Sequence, residues 1–569
     1  MAERSTECTR LLVAAMDFGT TYSGYAFSFR SKPDEVRTNP NWVAGSEKLM
    51  SIKCPTAVLL RPNKEFHSFG FEAENKYAEL AEDGEHHGWY LFRRFKMILY
   101  ETKNLKMDTP MEDMLGRKMP AIDIFSHAIR FLKRHFLQTI QTRTVGVLES
   151  DVQYIITVPA IWDEKAKQFM RRAAIKADIP NEQISLALEP EAAAIWCQHA
   201  TGDNMDSLKK IDSKCMVVDL GGGTADITVH QNMEDGSLKE LHRATGGAWG
   251  GNEVDKAYLN MLSDIIGPKN MEKFKQEEVS YYFDILRDFE IQKRTITDDS
   301  EGYIRFKIPA VLREAAESDG VKLQDKIAKS RFTEKVTLVR DKFKVDKKVV
   351  KGYFDNPLRM LISHITSSFS ESGNAGVDAI LLVGGFAECE LVKKAFQNAF
   401  PHKRVMIPLD AGSAVLKGAV RFGHHQEIIS HRIARFTIGR EAWEDFKSHH
   451  DPSRKIIRNG NELCRNIFIK IIEIDTEIPR DKVFEETFSA FAHQKSCNLR
   501  LFSSTKHNVK YTTEPECMKL GTLYFKLPES SEKSDKRVFV RYCFGETEIY
   551  IRVKILKTGE EYETWIDCL

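Results

Sequence analysis

With 83 Lys and Arg against 82 Asp and Glu over 569 residues, the chain is close to neutral, so no global field favours nucleic acid or an anionic membrane surface. It is too long for a single hydrophobic core, and two or three separately packed units are expected. The apolar run Leu11 to Met16 is too short for a signal-peptide core, no run approaches the roughly 18 apolar residues of a membrane span, and the ten scattered cysteines contain no Cys-x-x-Cys pair, so the expected setting is cytoplasmic or nuclear with reduced thiols.

Leu11 to Met16 reads as a buried strand, Asp17 to Thr21 as a tight turn and Gly24 to Phe29 as a returning strand. Phe125 to Thr139 has helical spacing, Gln153 to Val158 is a second buried strand, and Asp163 to Ala177 is a helix entered after Pro159. About 200 residues after the first turn the pattern recurs, with Cys215 to Val218 as strand, Asp219 to Thr224 as turn and Asp226 to His230 as return. Two copies imply a duplicated, two-lobed α/β fold, with lobe I over about 11–210 and lobe II over about 211–425. Residues 253–298 and 320–372 read as mostly helical, the latter lysine-rich on a solvated face. After about residue 430 the pattern becomes β-type. Ile467 to Ile474, Leu520 to Leu527, Arg537 to Phe544 and Glu548 to Ile555 are short runs between turns, and 430–569 is expected to form a sandwich-like β-domain.

Each Asp-bearing turn places a carboxylate at the end of a buried strand, followed by residues of little bulk. Gly19, Gly221, Gly222 and Gly223 let backbone N–H groups converge on phosphate oxygens, and Thr20, Thr21 and Thr224 add hydroxyl donors. Asp17 and Asp219 could hold a hydrated Mg²⁺ against those phosphates. A third turn, Leu381 to Phe386, sets Gly384 and Gly385 after an apolar strand, where flat backbone can meet a base or ribose. Neither a Gly-x-Gly-x-x-Gly turn nor a Gly-Lys-Ser/Thr loop stands at these strand ends, so the phosphate chemistry is of another class.

The segments Asp17-Phe-Gly-Thr-Thr-Tyr-Ser, Leu188-Glu-Pro-Glu-Ala-Ala-Ala-Ile195, Val218-Asp-Leu-Gly-Gly-Gly-Thr224 and Leu382-Val-Gly-Gly-Phe386 together resemble the phosphate, connecting and adenosine motifs of the 70-kDa heat-shock protein superfamily. Gly250-Gly-Asn-Glu-Val-Asp255 and Glu290-Ile-Gln-Lys-Arg294 extend the resemblance. Phe95-Lys-Met97 and Ala411 to Ala419 look most like its divergent heat shock 70 kDa protein 12 subfamily. The resemblance implies an actin-like ATPase fold over 1–425, binding ATP or ADP with Mg²⁺. It implies Asp17, Lys96, Glu189 and Asp219 as catalytic residues, with Asp17 and Asp219 reaching the metal through water. Gly19, Thr20, Thr21, Tyr22, Gly221, Gly222, Gly223 and Thr224 would bind phosphate, and Glu290, Lys293, Arg294, Gly384 and Gly385 would enclose adenosine.

Departures from the family pattern qualify the function. Glu191 stands where the family has a threonine beside the phosphates, which predicts added negative charge there. His424 to His431 occupies the place of the acidic, leucine-rich linker. No helical lid follows the β-domain, and Asp-Cys-Leu replaces the acidic tail, so the co-chaperones that read that tail are not expected partners. The leading expectation is a weak ATPase with a chaperone-like role, converting ATP and water to ADP and phosphate. A client or folded protein would dock on the C-terminal β-domain, with no nucleic acid or membrane partner. The alternatives are a nucleotide-gated scaffold with negligible turnover and a small-molecule kinase of the same duplicated fold.

Overall fold

The computed structural model describes residues 10–40, 42–44, 49–199, 206, 208–297, 301–458, 460–530, 532–565 and 568, so Cys8 and two residues of the terminal Asp-Cys-Leu lie outside it. The chain divides into two units. The first comprises Met1–Ile161, Met170–Thr228 and Thr245–His425; the second comprises Trp162–Phe169, Val229–Ala244 and Gln426–Leu569. Two short excursions thus leave the stretch 1–425 that the sequence reading treated as one domain.

In the first unit, strand Leu12–Phe18 is buried along its whole length, as the apolar run Leu12 to Met16 requires of a strand covered on both faces. It pairs in parallel with Val152–Val158, which pairs in parallel with Ile184–Leu188. It also forms a hairpin with Tyr22–Phe29, where Asp17 lies opposite Gly24. Helix Ala121–Gln141 buries Ile122, Phe125, Ile129, Leu132, Phe136 and Ile140 at spacings of three and four. Phe125 reaches Phe18 with ring centroids 5.3 Å apart, and Phe136 reaches Phe27 at 5.5 Å. The same plan recurs where Lys214–Leu220 pairs in parallel with Ala379–Val383, which pairs in parallel with Arg404–Met406. The return strand Ala225–Asn232 follows the second glycine turn.

Helix Glu189–His199 starts directly at the end of strand Ile184–Leu188. Against it lies helix Ala414–His424, so close that a Cβ on Gly418 would overlap the Ala192 carbonyl. Gly423 on the same helix faces Val13 and Ile155 of the sheet.

The lysine-rich stretch 320–372 is helical over more than half of its length, as expected, but strands interrupt it. Helices Leu323–Lys329 and Lys347–Ser368 flank two strands, Val336–Val339 and Lys342–Asp346, which form an antiparallel three-stranded sheet with Tyr303–Lys307. The reason is local. Phe343 and Val345 are buried while Lys342 is exposed and Lys344 half-buried, a period of two that a helix cannot satisfy. Residues 253–298 contribute helices Asn252–Ile266, Pro268–Glu277 and Val279–Thr295.

The second unit is β-rich. Its core joins residues of two sheets. Ile438, Ile472, Leu499, Leu501 and Phe525 come from the five-stranded sheet, and Val538, Val540, Tyr542, Ile551, Val553 and Ile555 from the four-stranded one. Alternate residues of Arg537–Cys543 point into that core, so a one-residue slip would expose all three of Val538, Val540 and Tyr542. Ile429–Ile433, where a linker was expected, is a strand. It pairs in parallel with Leu238 and Lys239 and antiparallel with Glu477–Pro479.

Among the described residues no helix is long and apolar enough to cross a membrane. No disulfide joins any two of the nine described cysteines.

Candidate functional site

A cleft of about 760 Å³ opens in the first unit, within the range of small-molecule sites. Every residue given a catalytic, metal, phosphate or adenosine role from the sequence lines it: Asp17, Gly19, Thr20, Thr21, Tyr22, Lys96, Glu189, Asp219, Gly221, Gly222, Gly223, Thr224, Glu290, Lys293, Arg294, Gly384 and Gly385.

The two glycine turns face each other across this cleft. A Cβ on Gly222 would overlap the Thr21 hydroxyl, and one on Gly223 would overlap Met97 and crowd Thr20. Only glycine permits that approach. The second turn is held from behind by the segment Gly250-Gly-Asn252: Gly251 N–H donates to the Gly221 carbonyl at 3.1 Å, and Asn252 N–H to the Gly222 carbonyl at 2.8 Å. Thr21 Oγ1 donates to Asn252 Oδ1 at 3.2 Å, linking the two turns through one side chain. Gly384 has φ +88°, the left-handed region, and lies against Leu220 and Asp219; beside it, Gly385 has open space where a side chain would be.

The carboxylates converge at one end. Asp17, on a buried strand, accepts from the Thr157 hydroxyl at 3.1 Å and pairs with Lys53 Nζ at 2.6 Å. Burial alone would raise its pKa, but Lys53 and Lys96 outweigh burial and hold it below the usual carboxylate range. Glu189, in the first turn of its helix, pairs with Lys96 Nζ at 2.6 Å. Burial, together with Asp17 and Asp226, still pushes it up to about 7. Asp219 is 5% exposed and has no ion-pair partner among the described residues. Burial and its neighbours Glu189, Asp226 and Asp17 hold its pKa well above the ordinary value.

The other end is a ladder of opposite charges. Asp255 accepts from Lys293 Nζ at 2.7 Å and Arg94 at 2.9 Å. Glu290 takes both Lys293 and Arg294, and Arg294 reaches Glu388 at 3.2 Å. Tyr22 lines the cleft nearer this ladder than the first turn's assignment suggested. Burial first, then Glu290 and Glu74, push its phenol up to about 12.

Glu191 does not add its charge to the cleft. It is 1% exposed and absent from the lining. Two positions along a helix turn a side chain about 200° away, so Glu189 and Glu191 face opposite sides.

Sequence reasoning missed Lys53 and Asp226. Asp226 lies in the return strand, accepts from Ile161 N–H at 3.0 Å, and acts on both Glu189 and Asp219. A charged residue in the apolar run Ala225-Asp-Ile-Thr-Val229 was the available signal. Lys53 carried none, standing alone before Cys54-Pro55.

The donor set suits a hydrated divalent cation. Asp17, Glu189, Asp219 and Asp226 converge here with Lys53 and Lys96, and Asp219 has no ion-pair partner among the described residues. Among the described residues no group of three or more His, Cys, Asp or Glu is disposed as direct ligands. Asp17 and Asp219 would hold such an ion, and its charge would offset that of phosphate oxygens.

Residues 114–427, just over half of the chain, match the family model described as Hsp70 protein. Heat shock 70 kDa protein 12A of Mus musculus is 31% identical over 626 aligned residues, covering 99% of this chain and 92% of that protein. Heat shock 70 kDa protein 12B of Homo sapiens is 29% identical, covering 98% and 91%. Chaperone protein DnaK of Methanothermobacter thermautotrophicus is 25% identical over 65% of this chain and 54% of that protein.

Proposed function

Because the chain belongs to the Hsp70 family, with its two-lobed ATPase fold and nucleotide-binding character, we propose that it binds Mg-ATP in this cleft, hydrolyses it slowly and serves a chaperone-like role. The observation that carries the reading is the meeting of two Asp-bearing glycine turns with the buried Lys96–Glu189 pair in one cleft. Backbone N–H groups of Gly222 to Thr224 and the Thr20 hydroxyl would cradle the phosphates, whereas Gly221 N–H is held by the Thr224 carbonyl and the Thr21 hydroxyl by Asn252. Lys96 would stabilise charge on the transferred phosphoryl group, and Glu189 would orient the attacking water. Gly385 would leave room for the base or ribose beside Arg294. A metal bound with the nucleotide would supply charge stabilisation.

The C-terminal β-rich unit would dock an extended client or a folded partner in the cytoplasm. The relative named a chaperone protein supports this role. A nucleotide-gated scaffold of negligible turnover is the second reading, favoured by the engagement of Lys96 with Glu189 at 2.6 Å.

Single-turnover hydrolysis of Mg-ATP by the full chain, measured beside nucleotide affinity, separates them. Binding with turnover supports the ATPase, and binding without turnover supports the scaffold. Absence of binding removes both.

A further inference from the structure

We propose that Lys53 is a built-in cation of the phosphate end, competing with a hydrated divalent metal for Asp17 and allowing the cleft to hold a nucleotide polyphosphate when the metal is removed. The inference rests on the nucleotide-binding reading and refines it.

The lysine is built into the first glycine turn. Cys54 and Pro55 pair with Ser23 and Tyr22 of the returning strand. Thr56 N–H donates to the Thr21 carbonyl at 2.9 Å, and the Thr56 hydroxyl donates to the Gly19 carbonyl at 2.7 Å. Three consecutive residues therefore fix the backbone beside Lys53 to the turn itself. From there its ammonium reaches Asp17 Oδ2 at 2.6 Å, with the lysine side chain only 19% exposed and the carboxylate 8%. The other oxygen of Asp17 takes the Thr157 hydroxyl. Both oxygens are thus engaged from within the protein.

A hydrated dication reaching Asp17 would meet this fixed positive charge, and the two repel at such range in a buried site. The lysine can also meet an incoming anion, because it lines the cleft with Gly221, Gly222 and Thr224. The remaining lining lysine at the far end, Lys293, is bound to Asp255 and Glu290. Charge-assisted contacts from Lys53 and Lys96 then offset part of a polyphosphate's charge without metal.

The test is calorimetric titration of ADP and ATP into the full chain, in magnesium and in EDTA, for the wild type, Lys53→Met and Lys53→Arg. For the wild type, EDTA should weaken affinity by less than about tenfold, a difference of roughly 1.4 kcal/mol. Lys53→Met should lose more than about tenfold in EDTA and recover to within about threefold of wild type in magnesium. Lys53→Arg should keep the metal-free affinity. Equal loss for Lys53→Met in both buffers, or no loss in either, overturns the proposal. So does strict metal dependence in the wild type, a result that stands even if Lys53→Met fails to fold. Wild-type protein that binds neither nucleotide in either buffer overturns the nucleotide reading as well, whereas binding in magnesium alone overturns only the role of Lys53.

Discussion

The two ends of the cleft are built from the same kinds of side chain and reach opposite electrostatic outcomes. At the end proposed for adenosine, Asp255, Glu290 and Glu388 are matched by Arg94, Lys293 and Arg294, each within ion-pair distance. At the end proposed for phosphate, Lys53 and Lys96 satisfy Asp17 and Glu189 and leave Asp219 unmatched among the described residues. A closed ladder fixes shape and asks nothing of a ligand. An open one stores an electrostatic cost that an arriving cation or protein donor can relieve, so chemistry is expected where the balance is incomplete.

The largest test of this contrast is catalytic. Asp219→Asn and Lys96→Ala should each lower single-turnover hydrolysis by about 10² to 10³, the scale for one electrostatic contact, and change ATP affinity much less. If the wild type turns over and either variant keeps its full rate, that residue is not part of the chemistry. The next effect is on ligand-linked stability. Mg-ATP at 100 times its dissociation constant should raise the unfolding free energy by about 2.7 kcal/mol, read by thermal melting with and without ligand. Gly222→Ala should erase most of that gain by driving the turns apart.

Gly418→Ala should cost about 1–3 kcal/mol whether or not nucleotide is present, because the new methyl overlaps a helix carbonyl; the measurement is the denaturation midpoint. A graded effect follows from Glu189. Burial pushes its pKa in the folded chain up to about 7, above the ordinary carboxyl range, so the folded state holds the proton more tightly between the two. Its contribution to stability is therefore present at low pH and lost as pH rises toward 7. Glu189→Gln should flatten that part of the pH–stability curve, and an unchanged slope would assign it elsewhere. Smallest of all, Arg294→Ala should alter stability by no more than about 1 kcal/mol, since its side chain is 40% exposed and one rung of a half-solvated ladder is screened. A loss much beyond that would mean the adenosine end is a cooperative network.

The cleft was legible in the sequence to the extent that backbone freedom was its signature. Glycine after a buried carboxylate is an uncommon pattern, and its repetition 200 or so residues on gave the duplication and both turns. Side chains that work by reach were harder. Lys53 is one lysine among many, and only the pairing of Cys54 and Pro55 with the returning strand brings it to Asp17. Glu191 was placed beside the phosphates on the family pattern, whereas the helix turns it from Glu189 into the interior. The strands at 336–346 were hidden by lysine content. Their alternation, Lys342-Phe343-Lys344-Val345, was present and outvoted by composition.

The contact between Gly418 and the Ala192 carbonyl bears on how displacement travels. Most helices meet through side chains, whose rotamers can yield and absorb a small shift before the backbone moves. Here main chain rests directly on main chain, leaving no compliant layer between helices Glu189–His199 and Ala414–His424. Glu189 heads the first of these helices, three residues before the contact. The joint thus behaves as a stiff coupling, in which translation of either helix reaches the Glu189 carboxylate with little slack.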